Sequence, residues 1–259
     1  MCIVCDSTLE DLVDKTHLNC SGCSSITTIP NLPNLYELNC HGCVNLTEIP
    51  FLPHLQNLVC SNCPKLVTLP YLSTLQQLYC GGCYYLTSLP TFPNLQQLYC
   101  YQCSNLTTLP NFPTLRLLNC FQCPSLKTLP DLPSLLRLNC FQCWNLTYLP
   151  NFPHLQILEC SWCFTITTIP NFPHLQQLDC SHCSLITTIP YFPNLYLLFC
   201  SNCPLLLSLP DLPKLQSLEC FECPWLCHPQ NLEYKENVNK LSVLQRWCKN
   251  NFKYFIFKR

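Results

Sequence analysis

The segment Leu75–Cys103 reads "LQQLYCGGCYYLTSLPTFPNLQQLYCYQC". It contains a C-x-x-C pair twice, and the second pair begins twenty residues after the first. The same spacing holds along most of the chain, because Cys recurs at every twentieth position from Cys20 to Cys220 and again from Cys23 to Cys223. The two series of eleven account for 22 of the 26 cysteines, so the sequence consists mainly of twenty-residue repeats.

A repeat of this length predicts a solenoid, in which each unit buries its apolar side against its neighbours. In "LQQLDC" (175–180), apolar and polar residues alternate at Leu178, Asp179 and Cys180, which is typical of a short strand with one buried face. The segment before it, "IPNFP" (169–173), contains two prolines that lack an N–H donor and fix φ. We therefore expect an extended or polyproline-like return path between strands rather than a helix.

The motif of one unit is L-x-x-L-x-C-x-x-C-x-x-L/I-T, with its fixed positions occupied by Leu175, Leu178, Cys180, Cys183, Ile186 and Thr187. This spacing resembles that of leucine-rich repeats, particularly the cysteine-containing kind. The L-P-x-L-P segments look like the short repeats of bacterial type III effectors and plant immune receptors. The array as a whole resembles the leucine-rich repeat proteins of giant DNA viruses. The resemblance implies a leucine-rich repeat solenoid with parallel strands on a concave face, where such proteins bind partners.

The chain divides into three parts. Residues 1–17 are expected to form an N-terminal cap, and residues 18–226 an array of about eleven twenty-residue units. Residues 227–259 abandon the period, and the spacing of Leu241, Leu244 and Trp247 predicts an amphipathic helix that caps the last unit. Contact of this basic segment with an anionic membrane or nucleic acid is the alternative.

Composition limits the class of protein. Charged residues make up 10% of the chain and the net charge is −1. From Asn231 onward there are seven Lys or Arg against two Glu, so the array is net negative and a nucleic-acid partner is not expected. The N-terminus lacks the features of a signal peptide, and no apolar run has transmembrane length. We expect an intracellular, cytoplasmic protein without a membrane span.

The periodic cysteines allow three interpretations: buried thiols, metal sites or a ladder of disulfides. A metal in every unit would require four converging thiolates, whereas parallel strands stack equivalent side chains about 4.8 Å apart. A cytosolic location disfavours disulfides. Buried thiols are favoured, with no metal or cofactor in the array. At the ends, Cys2 with Cys5, or Cys223 with Cys227 and His228, remain possible metal ligands.

The leucine-rich repeat resemblance implies a place for each cysteine series. The position of Cys40 points inward from the strand. The position of Cys43 lies at the turn after the strand, where Asn or Cys bonds to the backbone of a neighbouring unit.

Outward-facing aromatic residues mark a candidate partner-binding surface in the middle of the array. The candidate site comprises aromatic residues and an adjacent row of amides: Tyr79, Tyr99, Tyr101, Phe121, Phe141, Gln102, Gln122, Gln142 and Trp162. The alternative is that stacked identical side chains only stabilise neighbouring units. Both interpretations predict rings on the outward positions of the strands.

The sequence does not point to catalysis, since the seven His are scattered and no nucleophile has an evident base beside it. The preferred hypothesis is a monomeric, non-enzymatic, intracellular protein-binding scaffold, viral and directed at a host protein. One alternative is a metal-binding or redox-active cysteine-rich protein. Another is an adaptor that recruits a substrate to a ubiquitin ligase, which would need an additional module.

Overall fold

The computed structural model describes residues 3–223. Two short helices, α1 (Ile3–Asp6) and α2 (Leu9–Leu12), precede eleven strands of three residues each. The strands are β1 (His17–Asn19), β2 (Glu37–Asn39), β3 (Asn57–Val59), β4 (Gln77–Tyr79), β5 (Gln97–Tyr99), β6 (Leu117–Asn119), β7 (Arg137–Asn139), β8 (Ile157–Glu159), β9 (Gln177–Asp179), β10 (Leu197–Phe199) and β11 (Ser217–Glu219). The predicted helix in residues 227–259 lies outside the described residues.

The strands form one parallel sheet in sequence order, β1 to β11. Residues twenty positions apart are partners, as Leu18 with Leu38 and Leu198 with Leu218. Each twenty-residue unit, hereafter a rung, therefore makes one turn of the solenoid and returns in register. The sequence prediction of a leucine-rich-repeat-like solenoid is confirmed.

The core is a stack of identical layers. In the rung that contains β2, the buried side chains are those of Leu32, Leu35, Leu38, Cys40, Cys43, Leu46 and Ile49. From the fifth rung onward Phe often replaces the first Leu, and Phe92 stacks on Phe112 at a centroid distance of 6.1 Å. Every rung buries its apolar side only against its neighbours, which explains why the repeat is so regular.

The return segments carry no assigned helix within the described rungs, in agreement with the prediction from their prolines. Surface side chains tie these segments together instead. The Nδ2 groups of Asn45 and Asn105 each donate to a backbone oxygen of the preceding rung, at 2.8 Å. The recurring "NLT" motif thus contributes hydrogen bonds between rungs.

A tight turn follows each strand and has a backbone feature that the sequence analysis missed. The second of the two residues between the periodic cysteines has positive φ in every rung: Gly22, Gly42, Asn62, Gly82, Gln102, Gln122, Gln142, Trp162, His182, Asn202 and Glu222. This conformation aims the N–H at the next rung, as when Gln102 N donates to Phe121 O at 2.8 Å. The left-handed region costs a non-glycine residue about 1–2 kcal/mol, so inter-rung bonds must offset it.

The N-terminal edge is closed by α2. Thr8 is its N-cap, and its side chain accepts from Asp11 N while the Asp11 carboxylate accepts from Thr8 N at 2.9 Å. Hydrogen bonds from the Thr8 side chain and backbone lower the pKa of Asp11. Leu12 then packs into the end of the core. This reciprocal cap is the arrangement that favours a helix start in such a short segment.

Candidate functional site: the exposed face of the sheet

In each strand the middle Leu is buried and the two flanking residues point away from the core. These flanking residues together form the sheet face, the surface to which the predicted site belongs. Because neighbouring strands are in register, equivalent flanking side chains lie side by side, about 4.8 Å apart. The sheet face is therefore a set of adjacent columns of side chains, and residues in these columns can differ between rungs without changing the core.

Tyr79 and Tyr99 occupy the sheet face at its centre. They are register partners on β4 and β5, and their rings stack at a centroid distance of 4.5 Å with an interplanar angle of 6°. Both are half-buried. Burial, followed by the adjacent Tyr79, raises the pKa of Tyr99, while Arg137 opposes the shift. The pair forms one broad aromatic plate at the solvent boundary.

Tyr101 and Phe121 lie one step further along, in the turns that follow β5 and β6. Their rings stack at 4.9 Å with an interplanar angle of 3°. The other face of the Tyr101 ring covers Gly81, where an added Cβ would lie 2.5 Å from ring atoms. Gly81 therefore makes room for this ring, and Tyr101 packs between rungs. Phe141 continues the same column and is also half-buried.

The three glutamines form a ladder rather than separate binding groups. Gln102 Nε2 donates to Gln122 Oε1 at 2.8 Å, and Gln122 Nε2 donates to Gln142 Oε1 at 2.6 Å. All three have positive φ and lie in the turns. The amide of Gln122 thus bonds to both of its neighbours, so the ladder stabilises this conformation across three successive rungs.

Trp162 belongs to a separate aromatic group. Its ring stacks on His182 at 4.1 Å and meets the edge of Phe164 at 5.9 Å. Trp162 is 37% exposed and Phe164 is 40% exposed, which makes this group more accessible than the stacked rings of Tyr101 and Phe121. The structure thus divides the predicted site into the Tyr79–Tyr99 plate, a packed turn column and this edge group.

Three charged residues on neighbouring strands of the sheet face were not predicted as site residues. Arg137 on β7, Glu159 on β8 and Asp179 on β9 occupy neighbouring strands. Glu159 reaches solvent, yet partial burial of its carboxyl group and the charge of Asp179 raise its pKa, with Arg137 acting in the opposite sense. Asn139 Nδ2 donates to Glu159 Oε2. The alternation of the strands could have identified these residues, since Glu159 and Asp179 share the column of Tyr79.

The cysteines lie on the opposite side of the sheet, in the core. In ten rungs the second periodic cysteine donates from Sγ to the backbone oxygen of the first cysteine of the preceding rung, at 2.8–3.2 Å. These hydrogen bonds are hereafter the thiol ladder. They confirm the places expected for the columns of Cys40 and Cys43.

The cysteines of the thiol ladder have shifted pKa values. Contact with Cys83 and then burial raise the pKa of Cys60 well above its ordinary range, and Cys80 to Cys180 behave alike in their own rungs. The same kind of contact lowers the pKa of Cys63, Cys143 and Cys203. Within residues 3–223, no three His, Cys, Asp or Glu side chains are grouped so that they could hold a metal ion.

No family model, curated protein or solved structure matches the chain. In residues 3–223 there is also no helix with the length and apolar character needed to cross a membrane. The assignment of a function therefore depends on the sheet face itself.

Proposed function

We propose that the protein is a non-enzymatic scaffold that binds another protein on its sheet face. The observation that carries the proposal is the Tyr79–Tyr99 plate, which lies half-exposed on the outer side of a regular sheet. Tyrosine pairs of this kind supply a large rigid contact area at low entropic cost, and they are enriched among the residues that dominate binding energy.

The charges beside the plate indicate the chemistry of the partner. Glu159 lies three strands from Tyr99, which corresponds to about 14 Å at the usual strand spacing. Residues 3–223 contain twelve Asp or Glu and six Lys or Arg, so this part of the chain is net negative. A partner segment with an apolar side chain over the plate and a Lys or Arg toward Glu159 and Asp179 complements this surface.

The chemistry of the thiols supports a role without catalysis. The groups with the most strongly raised pKa are cysteines of the thiol ladder, such as Cys100, and they are fully buried. A protonated thiol without solvent contact is a poor nucleophile. The resemblance to arrays of giant DNA viruses extends the proposal to a host protein as the partner.

The test is affinity capture of the partner from the native host cell, followed by binding measurements with the purified partner. The double variant Tyr79→Ala/Tyr99→Ala should bind about 30-fold more weakly, because truncation of an interface anchor costs about 2 kcal/mol or more. A second variant, Glu159→Gln/Asp179→Asn, should weaken binding chiefly at low salt.

The chain offers a matched control. Tyr71 and Tyr191 are 50% and 53% exposed and lie in return segments, away from the sheet face. The double variant Tyr71→Ala/Tyr191→Ala removes the same atoms and should leave the affinity unchanged. Equal affinity loss in both double variants, or loss only in the control, would contradict the proposed surface.

A further inference from the structure

The N-terminal end of the core contains a thiol pair unlike those of the other rungs. Cys5 on α1 places its Sγ 3.6 Å from the Sγ of Cys23 in the first rung. Cys5 is exposed and Cys23 is half-buried, whereas both periodic cysteines of every later rung are buried. We propose that Cys5 and Cys23 form an oxidation site, where a disulfide closes between α1 and the first rung.

Solvent access favours oxidation of this pair over the buried thiols. An oxidant must reach a sulfur atom, and the buried thiols of the second to eleventh rungs have essentially no contact with solvent. The Sγ atom of the second cysteine in each of these rungs also donates to a backbone oxygen, as Cys43 does to Cys20 at 3.1 Å. For Cys23 the structure provides a sulfur neighbour on a different element, the exposed Cys5.

The geometry allows the bond to form with a small movement. Disulfide sulfurs are about 2.05 Å apart, so the two Sγ atoms must approach by about 1.5 Å. Rotation of the two side chains, with a slight shift of the four-residue helix α1, can supply this displacement. The disulfide would close a loop between residues eighteen positions apart and fasten α1 to the end of the core.

A disulfide such as oxidised glutathione can serve as the oxidant for this pair. The thiolate of Cys5, after loss of its proton, attacks one sulfur of the oxidant and releases one glutathione thiolate, which takes up a proton. The Cys23 thiolate then attacks the mixed disulfide at the Cys5 sulfur and releases the second glutathione. Two protein thiols are oxidised and one glutathione disulfide is reduced.

The proposal is tested on the full chain after treatment with oxidised glutathione. The protein is then denatured, alkylated and digested with trypsin, which cleaves after Lys15 and so separates Cys5 from Cys23. The expected product is a linked peptide pair that has lost two hydrogens and separates on reduction. Alkylation should remain complete at the buried thiols, and β1 amides should exchange more slowly in the oxidised protein.

Single variants assign the bond. Cys5→Ser and Cys23→Ser should each abolish the linked pair, and both should melt near the reduced wild type because neither side chain is deeply buried. Cys2→Ser and Cys20→Ser should retain it. A linkage that persists in Cys5→Ser overturns the proposal. So does stoichiometric zinc in the purified protein that must be removed before oxidation, since the pair would then be part of a metal site.

Discussion

At the scale of single residues, the thiol ladder explains why cysteine fills two core columns. The Sγ of Cys103 donates to the backbone oxygen of Cys80 at 3.2 Å, and both residues are fully buried. A thiol is small and apolar enough for the core, yet it can also donate a hydrogen bond to a buried backbone carbonyl. Neither metal nor disulfide is needed to account for the repetition.

The first prediction follows from this bond. Cys103→Ala removes the donor and leaves a small void, so the free energy of unfolding should fall by about 1–3 kcal/mol. Cys103→Ser keeps a donor and should lose less. The measurement is urea denaturation of the reduced protein. If serine proves as costly as alanine, or costlier, the hydrogen bond is not what stabilises this position.

A second prediction concerns Gly81 and the ring that covers it. Gly81→Ala places a Cβ against Tyr101 and should destabilise the protein by about 1–3 kcal/mol, as overpacking usually does. In a Tyr101→Ala background the same glycine substitution should be nearly neutral. The four variants form a double-mutant cycle, measured by denaturation. Additive effects would show that Tyr101 does not pack on Gly81.

At the scale of elements, the rung is the unit of construction, because every strand pairs with partners twenty residues away. A third prediction uses this period. Deletion of residues 104–123 removes β6 and joins two equivalent rung ends, so the shortened array should fold cooperatively. The slope of its free energy of unfolding against denaturant concentration should fall by about a tenth, because about a tenth less surface is buried on folding.

The matched control deletes half a rung, residues 114–123. The remaining half, residues 104–113, cannot close a turn, so β6 is lost without restoring the register of the flanking rungs. This variant should lose secondary structure by circular dichroism or aggregate. If both deletions behave alike, the array does not depend on an intact twenty-residue turn.

The sequence was sufficient to predict the elements because the signals repeat. Alternation around Leu178 predicted a strand, and the prolines of "IPNFP" excluded a helix in the return segment. The left-handed turn was not predicted, since Gly occupies that position in only three rungs and Gln102 or Trp162 gives no such signal. Stacking of Tyr101 on Gly81 was likewise missed, because alternation gives the direction of a side chain and not its neighbours.

The candidate site was predicted only in part for the same reason. The column of Tyr79 and Tyr99 was found from its outward position, which the structure confirms. Arg137 was missed because its own column, at the first position of each strand, was not considered. The amide ladder of Gln102, Gln122 and Gln142 depends on side-chain contacts between rungs that no sequence pattern specifies.

At the scale of the whole molecule, the thiols couple stability to pH. Ten cysteines of the first periodic column, from Cys40 to Cys220, have a raised pKa, and that of Cys220 rises to about 12 through burial. Among the cysteines that the structure describes, only Cys63, Cys143 and Cys203 have a clearly lowered pKa. A raised pKa in the folded state contributes stability below the unfolded pKa, and this contribution is lost as pH rises.

The fourth prediction is therefore alkaline destabilisation. Unfolded thiols ionise above a pH of about 8.5, whereas the raised pKa of the first periodic column, from Cys40 to Cys220, keeps these thiols protonated in the folded state, so each of them contributes a loss of about 1.4 kcal/mol per further pH unit. The denaturation midpoint in reductant should fall steeply between pH 8 and pH 10. A midpoint that is constant over this range would show that the core thiols ionise equally in both states.

If the sheet face binds the partner, site-specific photo-crosslinking should attach the partner to this face. A benzophenone side chain is placed at position 97, which flanks the Tyr79–Tyr99 plate on β5, or at position 108 in an exposed return segment. Irradiation of the captured complex should attach the partner at position 97 and not at position 108. Crosslinking at position 108 with none at position 97 would contradict the claim and place the partner on the other side of the solenoid.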